Sequence, residues 1–165
     1  MMRGVVGLLL GLLLVVVKTV AGLSVERGYP RVVDGDTVVL NGKNIRLQGI
    51  DAPETRQTCN DRYGSVYQCG VVSTNKLKWK IGKRPVICSL EDEKDYYGRY
   101  IGYCSLSSSM DVAKSLNAWM VYWGYAVSYR YYSTEFVPQE DRAKRLRRGL
   151  WSGTFEMPWD WRKNN

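Results

Sequence analysis

The 165-residue chain predicts an α+β domain, a five-stranded β-barrel with three α-helices packed around it. Three observations carry that expectation. Between residues 25 and 50 the apolar positions are largely β-branched and are broken by turn residues. Residues 85–90 and 99–106 read as two more strands, joined by the charged stretch 91–98. The helical spacings, at about residues 64–80, 111–123 and 138–148, fall mostly late in the chain.

The elements follow in order. Asn41-Gly42 is a strong two-residue hairpin signal, because a type I′ turn needs positive φ at both central positions. Such a turn sets Leu40 opposite Lys43 and Thr37 opposite Arg46, and brings Asp36 and Arg46 to one level of the sheet. Ile45 and Leu47 then share one face and Arg46 and Gln48 the other. Pro53 ends the strand, since it cannot continue a central ladder. A helix from about Gly64 to Lys80 places Val66, Cys69, Gly70, Ser73, Leu77 and Ile81 on one side, and Gly82 stops it. A hairpin centred near Tyr96 sets Cys88 opposite Cys104. Asp111 is an N-cap for a helix that buries Val112, Leu116, Trp119, Met120 and Trp123 and stops at Gly124. Pro138 suits the first turn of a last helix and Gly149 its end. Strands first and helices late make a small closed barrel of OB type the natural candidate.

Residues 1–22 stand apart. Met1-Met2-Arg3 is a short positive start, an apolar run reaches Val17, and small residues follow Lys18. This reads as a secretory signal peptide cut after Ala21 or Gly22, leaving one domain at 23–165. The run is shorter than the roughly 20 residues of a membrane span, and a retained anchor is the alternative reading. Removing residues 1–22 takes away Arg3 and Lys18 and no acid, so the net charge of +8 falls by two to +6. A basic domain favours nucleic acid or another polyanion. The four cysteines, Cys59, Cys69, Cys88 and Cys104, all follow the leader, and an even count in an exported chain points to disulfides. Three connectivities exist; short loops and the hairpin symmetry favour Cys59–Cys69 and Cys88–Cys104, each worth about 3 kcal/mol in the chain-entropy model. Zinc is the alternative to disulfides, disfavoured by the lack of any Cys-x-x-Cys pair or histidine, and the absence of histidine excludes every histidine-based acid–base scheme.

The candidate chemistry lies in three stretches: Asp34-Gly35-Asp36-Thr37, Arg46 to Glu54, and Asp95-Tyr96-Tyr97-Gly98-Arg99. Asp36 and Asp51, with the Ala52 carbonyl, are oxygen donors suited to Ca²⁺. Glu54, just past Pro53, can take a proton from a water. Arg46 and Arg99 can each fork two N–H bonds onto phosphate. Tyr97, Tyr129 and Tyr131 can stack on bases, at about 1–3 kcal/mol each. Arg142, Lys144, Arg145, Arg147 and Arg148 form a basic helix, either a solvated face or a rim for nucleic acid.

Together these strings resemble the staphylococcal nuclease, or thermonuclease, family from about Val32 to Trp151. They run in family order: Val-Val-Asp-Gly-Asp-Thr, Arg-Leu-Gln-Gly-Ile-Asp-Ala-Pro-Glu, Asp-Tyr-Tyr-Gly-Arg, Trp-Gly-Tyr-Ala, and Ala143 followed by Arg-Gly-Leu-Trp. The resemblance implies an OB-type barrel with three helices and a single Ca²⁺ ion on Asp36, Asp51 and Ala52. It makes Arg46 and Arg99 catalytic arginines, and Glu54 the base or water-positioner. It also implies hydrolysis of single-stranded or locally melted DNA and RNA to 3′-phosphate ends, by an exported, periplasmic or extracellular monomer with no stable protein partner. The substrate tyrosine falls most clearly on Tyr97; Tyr129 and Tyr131 need a gap. A membrane contact is implied only if the leader is retained. Copies of this domain that only bind lose several of the five positions Asp36, Arg46, Asp51, Glu54 and Arg99, and none is lost here. The family prototype has no cysteine, so the four here resemble its secreted, disulfide-bearing branch.

Overall fold

The computed structural model describes residues 24–109 and 111–165; the leader expected at 1–22 lies outside the described residues. In chain order the strands and helices are β1 (Ser24–Gly28), β2 (Arg31–Val32), β3 (Thr37–Leu40), β4 (Lys43–Leu47), β5 (Ile50–Asp51), β6 (Cys59–Asn60), β7 (Val66–Tyr67), α1 (Cys69–Ile81), β8 (Val86–Lys94), β9 (Tyr100–Ser105), α2 (Leu116–Tyr122), β10 (Val127–Ser128), α3 (Val137–Arg145) and α4 (Pro158–Asn164). The main sheet runs β1-β8-β9-β4-β3-β2, and β10 pairs separately with β5. Only the β4–β9 pairing within this sheet is parallel.

The sheet curls on itself. β1 and β4 are third neighbours in the ladder, about 14 Å apart in a flat sheet. Yet Glu26 of β1 accepts from Lys43 Nζ at the start of β4 and from Asn41 Nδ2 at 2.8 Å. The α+β class and barrel type are those expected. The five expected strands correspond to β1, β3, β4, β8 and β9, with the two-residue β2 continuing the edge.

The β3–β4 hairpin turns on Asn41 (φ 50°) and Gly42 (φ 78°), and its register sets Leu40 opposite Lys43 and Thr37 opposite Arg46. Val38, Leu40, Ile45 and Leu47 are thereby fully buried on the inner face, where they meet Leu77 and Ile81 of α1, Leu116 and Met120 of α2, and Phe136. Cys88 and Cys104 face each other across β8 and β9 and are bonded, as are Cys59 and Cys69. A smaller cluster under the second bond gathers Val127 and Leu150, with Trp151, Phe155, Met157 and Trp159 packed against it.

The helices depart from expectation at their ends. α1 begins at Cys69 rather than near Gly64, because the β6–β7 hairpin closes the Cys59–Cys69 loop and the Asp61 carboxylate accepts from the Tyr63 and Ser65 N–H groups. Val66 is therefore exposed rather than buried. Asp111 caps only the 3₁₀ turn Val112–Lys114, and Ser115 caps α2. Trp123 is not in the core; it is exposed on one side, and the Arg148 guanidinium lies 4.2 Å from its ring centre. α3 ends at Arg145, before Gly149, which opens a further 3₁₀ turn. Of the basic set, Lys144 pairs with Glu140 and Arg148 stacks on Tyr122 and Trp123, so these two hold the fold. A fourth helix, α4, lies beyond the three expected. Among the described residues no helix is long and apolar enough to cross a membrane.

The Cys88–Cys104 bond joins two buried positions of the sheet across 16 residues. Replacing both cysteines by alanine is expected to remove about 3 kcal/mol and to lower the melting midpoint by about 10 °C. A melting curve that coincides with the wild type would rule out this bond as a stabilising cross-link.

Candidate active site

The core of the site is a three-residue ionic knot built by the hairpin register. Asp36 precedes β3, its N–H held at 3.0 Å by the Asp34 carboxylate. Arg46, opposite Thr37, donates through Nη1 to Asp36 Oδ1 and through Nη2 to Asp51 Oδ1 at 2.6 Å. The remaining oxygen of Asp36 accepts the Ala52 N–H at 2.6 Å. Both acids are buried, Asp51 with no exposure at all. Burial lowers the Arg46 pKa, as does the nearby Arg99 charge, while Asp51 opposes them. An arginine's ordinary value is so high that the group stays cationic.

Glu54 sits on the loop after β5, and that loop is clamped from beneath. The fully buried Gln57 side chain accepts the Glu54 N–H at 3.2 Å and donates to the Glu156 carbonyl at 2.7 Å. Its own N–H bonds to the Glu54 carbonyl at 2.8 Å. That carbonyl also abuts Gly70 at the start of α1, where a Cβ would lie 1.8 Å from it. The Cys59–Cys69 bond ties the far end of the loop to the same helix.

Arg99 and Tyr97 belong to the turn between β8 and β9. Asp95 folds this turn: Oδ1 accepts from the N–H groups of Tyr97 at 3.0 Å and Arg99 at 2.9 Å, and Oδ2 accepts from Arg99 Nε at 2.7 Å. Burial would raise the Asp95 carboxyl, but the donors from Arg99 and Tyr97 outweigh it and hold it below its ordinary value. The parallel β4–β9 register places Arg46 opposite Ile101, so Arg99 stands at the mouth of the site. Tyr97 is exposed, with the Arg99 guanidinium 5.4 Å from its ring centre.

Tyr129 and Tyr131 lie further along the same end. β10 pairs Val127 with Asp51, and the Tyr129 N–H bonds to the Gly49 carbonyl at 2.9 Å. The two rings stand 6.3 Å apart and line a groove of about 620 Å³ with Arg130, Lys144, Trp159 and Lys163. The groove is apolar in its walls and basic at its rim, apart from Glu140, which is paired with Arg130 and Lys144.

Sequence reasoning missed three residues here. Gln57 is one. Trp159 of α4 stacks on Tyr129, with ring centres 5.4 Å apart and planes at 16°. Arg162, one turn on, donates to both oxygens of Asp51 at 3.0 and 2.8 Å and to Glu54 Oε1 at 2.7 Å. Burial disfavours its charge, but the hydrogen bonds and charges of Asp51 and Glu54 outweigh that and raise its pKa. The available signal was Pro158 at the first turn, Asp160 behind it and Arg162-Lys163 in the last turn of a short helix. The structure thus joins Asp36, Arg46, Asp51, Ala52, Glu54 and Arg162 by direct hydrogen bonds. Arg99 itself is bonded to Asp95, and the β4–β9 register brings its turn alongside the strand that carries Arg46. Among the described residues no group of three histidine, cysteine or acidic side chains is arranged to hold a metal ion, so a cation here would rest on two acids and main-chain or water oxygen.

The family model described as "Staphylococcal nuclease homologue" matches residues 44–153. Protein ParB of Escherichia coli is 32% identical over 169 residues, covering 93% of this chain and 88% of its own length. Micrococcal nuclease of Shigella flexneri is 34% identical over 146 residues, 81% of this chain and 78% of its own. The succinoglycan biosynthesis protein ExoI of Rhizobium meliloti (strain 1021) is 37% identical over 101 residues, which span 61% of this chain and half of that protein. α4 lies beyond the stretch that the family model matches.

Two outcomes follow from this geometry. Gly70→Ala must push the Glu54 loop off α1, and is expected to cost about 2 kcal/mol in urea unfolding, the scale of overpacking; unchanged stability would mean the loop yields freely. The depressed Asp95 carboxyl means that the stability of its turn is present above the ordinary aspartate value of about 3.9 and is lost as pH falls through the lower folded value. The Tyr97 and Arg99 amides are therefore expected to keep their hydrogen-exchange protection down to pH values below that of a free aspartate. Loss of protection already near pH 5 would contradict the Asp95 anchor.

Proposed function

The chain belongs to the staphylococcal nuclease family, and from that premise we propose that it is a Ca²⁺-dependent nuclease that hydrolyses phosphodiester bonds of DNA and RNA. The observation that carries this reading is the convergence of Asp36, Arg46, Asp51 and Glu54 in one bonded network with Arg99 at its mouth.

The donor chemistry fits a hard dication. Asp36 and Asp51 approach each other closely enough to share one guanidinium, so the pair concentrates negative charge at one point, and a bound ion would take the place of N–H donors on these oxygens. In this reading Asp36, Asp51 and the Ala52 carbonyl hold the ion, which when bound supplies charge to a phosphate oxygen and an oriented water. Glu54, on its clamped loop, orients that water or accepts its proton. Arg46 and Arg99 donate N–H groups to the phosphate oxygens, an interaction that strengthens as negative charge builds there in the transition state. The reaction adds water across the P–O bond, and cleavage on the 5′-oxygen side leaves a 3′-phosphate.

Tyr97, Tyr129 and Tyr131 offer faces for bases, and the basic rim of the groove offers charge for the backbone. Stacking and phosphate contacts do not read base edges, so single-stranded or locally melted DNA and RNA are both substrates in this proposal. Two disulfides suit an exported protein, periplasmic or extracellular, working as a monomer.

The test is cleavage of single-stranded DNA by the purified protein, first with Ca²⁺ and then with excess chelator. Cleavage is expected only with the ion, and Glu54→Ala and Arg99→Ala are each expected to lower turnover more than ~100-fold. A folded protein that binds the DNA tightly but leaves it intact would make the domain a binding module instead. Near-normal turnover in either variant would remove that residue from the chemistry.

A further inference from the structure

We propose that Arg162 is a positioning residue of this site: its guanidinium holds the Glu54 carboxylate against Asp51 and sets how tightly the acid pair takes a divalent cation. The proposal rests on the nuclease reading and deepens it.

One planar group spans both acids. Nη1 lies 3.0 Å from Asp51 Oδ1 and 2.7 Å from Glu54 Oε1, and Nη2 lies 2.8 Å from Asp51 Oδ2. Without it, two carboxylates would repel across the centre of the site. Arg46 does not hold Glu54: the three N–H bonds it makes go to Asp36, Asp51 and the Ile50 carbonyl. The second consequence is electrostatic. Asp36, Asp51 and Glu54 carry three negative charges, and Arg46 and Arg162 return two, so an incoming cation meets a weaker attraction than the acids alone would exert.

The helix that presents Arg162 is seated rather than loose. Trp159 stacks on Tyr129, Pro158 is buried, and the chain just before α4 is hooked by Gln57 through the Glu156 carbonyl at 2.7 Å. Gln57 also accepts the Glu54 N–H, so one buried side chain fixes both the residue that is held and the segment that holds it.

The experiment compares the wild-type full chain with Arg162→Gln and Arg162→Lys. Ca²⁺ is titrated into the metal-free proteins by calorimetry, and single-stranded DNA cleavage is followed at saturating Ca²⁺. Arg162→Gln is expected to bind Ca²⁺ about tenfold more tightly, because the competing charge is gone. Its kcat is expected to fall about tenfold with little change in KM, because Glu54 is no longer held. Arg162→Lys keeps the charge but cannot fork across two carboxylates. It is expected to bind Ca²⁺ like the wild type and to keep the low kcat. Unchanged or weaker Ca²⁺ binding in a folded Arg162→Gln protein overturns the proposal. So does a defect confined to KM, which would make Arg162 a substrate contact. If Arg162→Gln loses the Trp159–Tyr129 stack in near-ultraviolet circular dichroism, the lysine variant decides alone: wild-type kcat overturns the proposal, low kcat with normal Ca²⁺ binding supports it. A wild-type protein that neither binds Ca²⁺ nor cuts DNA overturns the nuclease reading itself, an outcome distinct from all of these.

Discussion

The ion pairs of Arg46 with Asp36 and Asp51 are the constraint on which the rest of this structure depends. Two buried carboxylates are tolerable only with a partner, and losing one member of such a group costs about 3–5 kcal/mol. The knot therefore dictates geometry far beyond itself. Arg46 must point away from the core that Ile45 and Leu47 fill, which requires the two-residue turn at Asn41-Gly42. A slip of one residue would drive the arginine into the apolar interior and lift Ile45 out of it. Asp51 must in turn be held against β10, and through that pairing the tyrosine groove is brought to the same end of the sheet.

Much of this was legible in the chain because the signals are local. The hairpin register followed from two turn residues with positive φ, and the Cys88–Cys104 alignment from the symmetry of two strands about one turn. The acid and arginine positions sit within short strings whose spacing is nearly rigid once the strands form. The start of α1 was misplaced because helical periodicity cannot see a loop closed by a disulfide, and Val66 continues the pattern without being buried. Trp123 reads as core by its spacing, yet its ring is covered by Arg148 from a distant segment.

Arg162 was illegible for a different reason. It is 111 residues from Asp51, on a seven-residue helix whose amphipathic pattern is too short to register. Gln57 is similar: a lone glutamine in a polar loop carries no sign that it will be fully buried and bonded on both sides. Tertiary contacts made by single polar side chains leave no periodic trace.

The parallel β4–β9 pairing has a kinetic meaning. Parallel strands need a long crossover, and here it carries the Glu54 loop, both small hairpin strands, α1 and β8 before β9 can dock. Contacts so far apart in sequence form late, after the entropy of closing the loop has been met. The strands that carry Arg46 and follow Arg99 therefore pair only when the barrel closes, and Asp51 gains Arg162 only when α4 has packed. A half-folded chain can close the local β3–β4 hairpin around Arg46, but it lacks the Arg99 and Arg162 side of the site. Assembly of the whole site is in this way a report that the sheet and the last helix have both packed.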